Sequence, residues 1–350
     1  MVSKKCYKLR VFMSAINYSF TKSDPLAVIS QIGKEKAFKA LDEMLLIRNF
    51  EQRGEKAYQD GKVWGFYHAY IGQEAIQTAA ISALGSDKHL WLTSYRCHAL
   101  ALLLGMSAKE GMAELFGKES GNAKGRGGSM HMYTDNMFGG DGIVGGQWAV
   151  GAGLAFSLKY QEVKDQIAIC FGGDGSVMQG TFHETMNLAT LWKLPLLIVI
   201  ENNGLGMGTQ IQRAIAKLPI GENLAKAYGL SSYTVDGMDF ADCYEIFQKA
   251  HAEIKEKSMP IIIEMVCNRF RGHSISDSAH YRTKDDLIKM QERDPIVILS
   301  NYLLQLGFLT EDELEMRKKI KKDEVLEAVK FAEESSFPDI HTLEEGVIIG

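Results

Sequence analysis

Two stretches of this chain decide its fold: Gln166-Ile167-Ala168-Ile169-Cys170-Phe171-Gly172-Gly173-Asp174-Gly175, and Leu194-Pro195-Leu196-Leu197-Ile198-Val199-Ile200-Glu201-Asn202-Asn203. Each is a short, almost wholly apolar run that ends in turn-forming residues. Such runs read as strands buried on both faces. Between them, residues 181–192 read as a helix. The pattern recurs downstream, with strands at 233–235 and 260–266 on either side of a helix at 240–257. Strand, helix, strand with continuous apolar strands predicts an α/β fold: a doubly wound, mostly parallel sheet with helices on both faces.

Working outward, residues 33–60 carry Phe38, Leu41 and Leu45 on one helical face, and 73–84 carry a small-residue stripe of Ile76, Ala79, Ala80 and Ala83. Ser107 to Glu110 and Thr310 to Glu313 have capping-box spacing, so helices start there. Residues 117–146 read as one long irregular loop, and 285–335 as helical. Three segments follow: an N-terminal arm at 1–32, a main domain at 33–305 and a helical C-terminal extension at 306–350. The arm holds Lys4, Lys5, Lys8 and Arg10 before its first acid, Asp24. It reads as a disordered or swapped arm, or as a transit-like segment.

Composition narrows the function. Thirty-nine Lys+Arg against 44 Asp+Glu give a net charge of −5, which offers no general attraction to nucleic acid or to an anionic membrane. The longest apolar runs, 194–200 and 99–106, fall far short of the ~20 residues of a membrane span. Five scattered cysteines (Cys6, Cys97, Cys170, Cys243, Cys267) without a C-x-x-C fit a reducing compartment, and a bacterial cytoplasm is expected, with the mitochondrial matrix as the alternative. Glycine is in excess, 34 of 350, and crowded between Gly117 and Gly180. Backbone there must turn tightly or approach something closely.

The chemistry sits at the strand ends. Asp174 and Asn203 each follow an apolar strand, on the edge where open α/β sheets bind ligands. Their separation of 203 − 174 = 29 residues equals one β-α-β crossover. An Asp and an Asn on adjacent strand ends offer two hard oxygens to one cation, which suits Mg²⁺ or Ca²⁺, and the flanking glycines leave room for a diphosphate. Read singly, each motif is an ordinary turn.

The residues between and around these motifs match a known family. Gly-Asp-Gly at 173–175 and Asn-Asn at 202–203 form the thiamine diphosphate signature. The opening motifs GFYH (65–68), GQEA (72–75) and TSYR (93–96) are followed by GRGGSMHMY (125–133), GGDGIVG (139–145) and LWKLP (191–195). GMGT (206–209), VDGMD (235–239) and RGHSIS (271–276) complete the series. In this order, over residues 33–305, the chain resembles the α subunits of the pyruvate dehydrogenase component of the 2-oxo acid dehydrogenase complexes.

That resemblance implies a thiamine diphosphate-binding fold and a site. Asp174 and Asn203 would hold Mg²⁺ by their side chains and Leu205 by its backbone carbonyl. Tyr95 and Arg96 would contact the diphosphate, with Gly173, Gly175 and Ser176 lining it. Asn203 would touch cofactor as well as metal, and Gly142 and Val144 would meet the aminopyrimidine. His68 and His273 would be the active-site histidines, whereas His89, His183, His251 and His341 read as structural. Ser274 matches a serine phosphorylated in mitochondrial relatives. The chain departs from the pattern at Ser176, at Gly204-Leu205, and at Ser278, where relatives carry Pro; the last predicts a more mobile loop at 274–282.

The implied activity is oxidative decarboxylation of pyruvate, with acetyl transfer to the lipoyl group of the acyltransferase component. The implied partners are a β subunit, in an αβ heterotetramer, and the lipoyl domain of dihydrolipoamide acetyltransferase; no nucleic acid or membrane is expected. Acetoin dehydrogenase and branched-chain 2-oxo acid dehydrogenase α subunits are the alternatives. The helix around Gly151-Ala152-Gly153 is a candidate subunit contact. One rival is a nicotinamide site, because residues 140–145 fit G-x-G-x-x-G with Glu162 about twenty residues on. The preceding segment 132–138 does not read as a strand, so this match is taken as a decoy. A non-catalytic scaffold is the other rival, against which stand Asp174, Asn203, Arg96, His68 and His273. No H-E-x-x-H occurs, which removes metalloprotease chemistry.

Overall fold

The computed structural model describes residues 18–345. Helices α1 (Pro25–Ile32), α2 (Lys34–Gln59) and α3 (Glu74–Leu84) lead to strand β1 (Leu90–Ser94), then α4 (His98–Leu103), α5 (Ala108–Leu115) and β2 (Met137–Asp141). The centre runs α6 (Gly146–Tyr160), β3 (Ala168–Gly173), α7 (Gly180–Leu191), β4 (Leu196–Asn202), and a small hairpin of β5 (Leu205–Gly206) and β6 (Thr209–Gln210). There follow α8 (Ile211–Ala214), α9 (Ile220–Tyr228), β7 (Ser231–Asp236), α10 (Phe240–Lys257), β8 (Ile261–Val266), α11 (Lys284–Gln291), α12 (Pro295–Gln305) and α13 (Glu311–Glu334).

Six strands make one parallel sheet in the order β2-β1-β3-β4-β8-β7. The direction of winding reverses between β1 and β3, which makes the C-terminal ends of those strands the natural ligand crevice. Successive strand residues serve opposite cores. Ile169, Phe171, Leu197 and Val199 pack under α3, α10 and the helices beyond. Ala168, Cys170, Leu196 and Ile198 pack against α6, α7 and α9. Burial on both sides explains why these strands carry no polar alternation.

Both capping boxes form, at Ser107 with Glu110 and at Thr310 with Glu313. Two strands of the sheet were not foreseen, one inside the 117–146 loop and one in an unassigned stretch. β2, Met-Phe-Gly-Gly-Asp, has two glycines and lies at a sheet edge, so no apolar run marks it. β1, Leu-Trp-Leu-Thr-Ser, is five residues long and lies in a stretch after the 73–84 helix for which no element is expected from the sequence. Residues 1–17 of the expected N-terminal arm lie outside the described residues. Within 18–32, Thr21 donates its amide to Thr234 O at 2.8 Å, and Ile29 is fully buried among α2, α10 and α12. On the far side of residue 305, α13 buries Val325, Ala328 and Ala332 against α2 and α5 in the same core. No helix among the described residues is long and apolar enough to cross a membrane.

Close approach of α6 to the sheet rests on two glycines. A Cβ at Gly151 would stand 2.9 Å from Cys170 Cβ, so the first residue of the Gly-Ala-Gly stripe packs within the chain rather than on a partner; only Gly153 faces outward. A Cβ at Gly172 would stand 2.3 Å from Trp148 Cζ2 and 2.4 Å from Gln147 Nε2. Both side chains are fully buried. Gly172→Ala should therefore cost about 1–3 kcal/mol by overpacking and lower the thermal midpoint by several degrees in a melt; an unchanged midpoint contradicts this packing.

His89 stands at the opposite end of the sheet from the crevice, where its Nδ1 accepts the amide of Ile167 at 3.3 Å. Burial, then the neighbouring His251, lowers its pKa to about 4. Below the unfolded value of ~6.5, the unfolded chain takes up a proton that the folded chain refuses, so this residue subtracts stability as pH falls. The stability advantage of wild type over His89→Asn should shrink by about 1–2 kcal/mol between pH 7 and pH 5, measured by parallel melts. A constant gap contradicts it.

Candidate active site

The crevice at the strand ends is a cavity of about 370 Å³. Its walls come from the ends of β1 (Ser94, Tyr95, Arg96), β3 (Gly173 to Ser176) and β4 (Glu201, Asn203), from β5, and from Arg269 and His273 beyond β8. β3 and β4 are neighbours in register, Gly173 opposite Glu201, so Asp174 and Asn203 leave the sheet side by side. Asn202 shapes that exit. Its Oδ1 accepts the Gly204 amide at 2.9 Å, while its Nδ2 donates to Glu264 Oε1 at 2.7 Å and to Tyr18 Oη at 3.0 Å. With Asn202 tied into the core, strand alternation sends Asn203 to the cavity. Opposite, a Cβ on Gly175 would stand 3.2 Å from Gly206 Cα, so the turns after β3 and β4 pinch together at glycine.

The polar atoms in this cavity are unusual in being unpaired. Asp174 Oδ2 and Asn203 Oδ1 are both buried and have no hydrogen-bond partner among the described residues. Burial without a counter-ion raises the Asp174 carboxyl to about 6, with Arg269 pulling the other way. Arg96 and Arg269 are nearly fully buried. Arg96 donates to Ala69 O (2.9 Å) and His273 O (2.7 Å). Arg269 donates to Arg271 O (3.1 Å), Met207 O (3.2 Å) and Tyr281 Oη (2.9 Å). Among the described residues no carboxylate stands within ion-pair distance of either guanidinium. Burial, then Arg269, lowers Arg96 to about 10. Two desolvated cations and two orphaned hard oxygens in one space ask for an anion and a divalent cation together. Among the described residues no three His, Cys, Asp or Glu side chains gather to hold a metal, but an Asp–Asn pair beside a phosphate needs no such cluster.

His273 lines the cavity, and His68 stands behind it, with ring centroids 5.0 Å apart and Tyr95 4.5 Å from His68. The Nδ1 atoms of both histidines are buried and have no hydrogen-bond partner among the described residues. Burial first, then Arg96, lowers the pKa of both, His273 to about 3. Both imidazoles are neutral at physiological pH.

Of the residues expected from the sequence, Tyr95, Arg96, Val144, Gly173, Asp174, Gly175, Ser176, Asn203, Leu205 and His273 line this one cavity. Gly142 and His68 are not in its wall; Gly142 lies against His131, whose Nε2 would be 3.2 Å from a Cβ there. Ser176 Oγ donates to Gly173 O at 2.6 Å. Ser274 is buried, its hydroxyl 2.8 Å from Ser276 Oγ. The following loop is tied by Asp277, which accepts from the His273 amide (2.7 Å), the Ala279 amide (2.9 Å) and Tyr281 Oη (2.7 Å). Arg269, Gln73, Gln147 and Glu201 were missed. Arg269 could have been found, since it follows by three residues the end of β8, the strand beside β4.

The expectation that no strand leads into residues 140–145 is overturned: β2 runs into their start at Asp141 and α6 begins at Gly146, so a strand, turn and helix are present. The match fails elsewhere. Glu162 follows the C-terminal end of α6, about 22 Å along the helix from its start at ~1.5 Å per residue, and lies on the side of the sheet remote from the turn. A ribose-binding acid must stand at the C-terminal end of the next strand.

The glycines of the 117–128 region approach something other than a ligand. Glu114, fully buried on α5, accepts four loop amides. Its Oε2 takes Ala123 (2.7 Å) and Gly125 (2.9 Å), and its Oε1 takes Gly127 (2.7 Å) and Gly128 (2.9 Å).

Comparison with known proteins identifies the family. The family model described as "Dehydrogenase E1 component" matches residues 42–341. The pyruvate dehydrogenase E1 component subunit alpha of Rhizobium meliloti is 41% identical over 324 residues, covering 92% of each chain. That of Zymomonas mobilis is 41% identical over 320 residues, covering 91% of this chain and 90% of its own. A probable mitochondrial pyruvate dehydrogenase E1 alpha subunit of Caenorhabditis elegans is 39% identical over 303 residues, 86% of this chain and 75% of its own. With a family match over most of its length and relatives this similar, the chain belongs to the dehydrogenase E1 component family.

Proposed function

We propose that this chain is the α half of a thiamine diphosphate-dependent pyruvate dehydrogenase E1. The observation that carries the reading is the pairing, in one cavity, of two unpartnered buried oxygens (Asp174, Asn203) with two guanidinium groups (Arg96, Arg269) that form no ion pair among the described residues. The first pair, with the Leu205 carbonyl, would hold Mg²⁺. Arg96, Arg269 and Tyr95 would face the diphosphate, an arginine fork suiting it well. Backbone at Gly173, Gly175 and Ser176 would lie along it, and Val144 with Gly142 would meet the aminopyrimidine.

Bound there, thiamine diphosphate supplies the carbon nucleophile and the electron sink for decarboxylating a 2-oxo acid. This chain would bind, orient and exclude water. His68 and His273, neutral at working pH, can each hold or release a proton at a free Nδ1. Ser274 is the proposed modification site: a phosphate adds roughly −1.5 to −2 charge beside His273, opposing an anionic cofactor or substrate.

The site is incomplete in this chain. Its two cavity carboxyls are engaged, Asp174 in the metal pair and Glu201 with Tyr70 Oη and Gln77 Nε2 (3.2 Å). A β subunit would bring the remaining carboxylic acid, in an αβ heterotetramer. Exposed Val150, Phe156, Tyr160, Leu188, Leu191 and Trp192 form an apolar face on α6 and α7, with Phe156 and Trp192 rings 5.5 Å apart, and such a face fits burial in that assembly. The acetyl group would pass to the lipoyl domain of dihydrolipoamide acetyltransferase, in a bacterial cytoplasm. Turnover of pyruvate, acetoin and branched-chain 2-oxo acids by the assembled enzyme tests the reading. Pyruvate should be preferred; preference for either other substrate overturns that assignment.

A further inference from the structure

His68 lies on a segment without regular structure, residues 65–70, so no helix or sheet ladder sets its position. The segment is held by side chains instead. Glu51, fully buried on α2, accepts Tyr67 Oη at 2.7 Å on Oε2 and the Tyr70 amide at 3.0 Å on Oε1. These two bonds bracket His68 from the residue before it and the second residue after it. A third donor, His98 Nδ1, stands 3.0 and 3.1 Å from the two carboxylate oxygens. The other ring nitrogen of His98 lies 2.8 Å from Ser129 O and 2.9 Å from Ser129 Oγ, in the GRGGSMHMY loop. The fit around Tyr67 is tight: a Cβ at Gly54, one turn from Glu51, would stand 2.2 Å from the Tyr67 hydroxyl.

We infer that Glu51, which reaches neither the cavity nor any reacting atom, is the positioning residue for His68, acting through the Tyr67 and Tyr70 bonds and braced by His98. The inference rests on the proposed function, in which His68 serves the reaction. A carboxylate is required because donors converge on both of its oxygens; an amide NH₂ on either side displaces an accepted bond. Buried polar hubs of this kind fix one geometry when every member is satisfied. Loss of the hub leaves the fold's cores intact and lets the segment shift, and a shift of about 1 Å at a reacting group can cost ~10²-fold in rate.

The test uses the α chain assembled with its β subunit, comparing wild type, E51Q, Y67F, H68A and the doubles E51Q/H68A and Y67F/H68A. E51Q should lower kcat for pyruvate about 10²-fold while KM and the calorimetric Kd for thiamine diphosphate with Mg²⁺ stay near wild type; the thermal midpoint should fall by several degrees because buried donors lose an acceptor. Y67F, which removes one bond and keeps the packing, should lower kcat about tenfold. In the H68A background both should cost nothing further, because coupled residues are non-additive. A kcat within about threefold of wild type for both variants, or an undiminished loss in the H68A background, overturns the inference. A weakened cofactor Kd matching the loss in kcat also overturns it, since the role would then be general to the site. If wild type neither binds the cofactor nor turns over pyruvate, the functional reading fails; if wild type does and E51Q matches it, only this inference fails.

Discussion

Asp174→Asn should abolish Mg²⁺-dependent retention of thiamine diphosphate by the assembled enzyme and at the same time leave the cofactor-free protein no less stable. The first effect follows from the site. Asp174 is the charged member of the oxygen pair, and its Oδ2 has no protein partner to release it from that duty. Changes in the outer shell of a metal site already cost about 10–100-fold in affinity, so removing the charged ligand should exceed that range. The second effect follows from burial. Desolvation raises the carboxyl to about 6, which is a penalty of about 3 kcal/mol on the ionised, cofactor-free state at neutral pH. The sign is that of a carboxylate raised above its unfolded value: the penalty is present above pH 6 and relieved as pH falls toward 4. An amide of the same shape carries no such penalty. Calorimetry should show the lost binding, and a melt of the apo enzyme should show a midpoint equal to or above wild type. Retained Mg²⁺-dependent affinity would refute the ligand assignment.

Glu114→Ala should release the whole 117–131 loop. Four backbone amides lose their acceptor at once, and breaking a buried charged arrangement from one side costs about 3–5 kcal/mol. Replacement by Gln does not repair it, since one oxygen becomes a donor facing two donors. Lys124 and Arg126, both exposed in this loop, provide the readout: limited tryptic digestion should cut there much faster in the variant than in wild type. Equal cleavage rates would mean that the loop is held by other means.

How much of this was legible beforehand depended on whether the physical cause was local. The central strands were legible because burial on both faces writes an unbroken apolar run, as at residues 196–200 of β4. Capping boxes were legible because their donors and acceptors are three residues apart. β2 was not, since an edge strand needs partners on one side only and Met-Phe-Gly-Gly-Asp advertises neither face. Glu114 and Glu51 were also hidden. Each sits in a helix among other charged residues, where a carboxylate reads as solvent-facing, and what makes each central is the convergence of donors from 9 to 14 or 16 to 47 residues away. The glycine excess was read correctly as close approach, but toward the Glu114 carboxylate at one end of the loop and toward the cavity at the other. Arg269 escaped because the RGHSIS motif drew attention two residues downstream.

The central claim is that one cavity in this chain grips a divalent cation and a diphosphate together. Titration of thiamine diphosphate into the chain co-purified with its β subunit, once with Mg²⁺ and once with a chelator, tests it most directly. Saturable binding that disappears with the chelator is the predicted result. Binding indifferent to the chelator, or binding of NADH by this chain alone in place of thiamine diphosphate, would contradict the account.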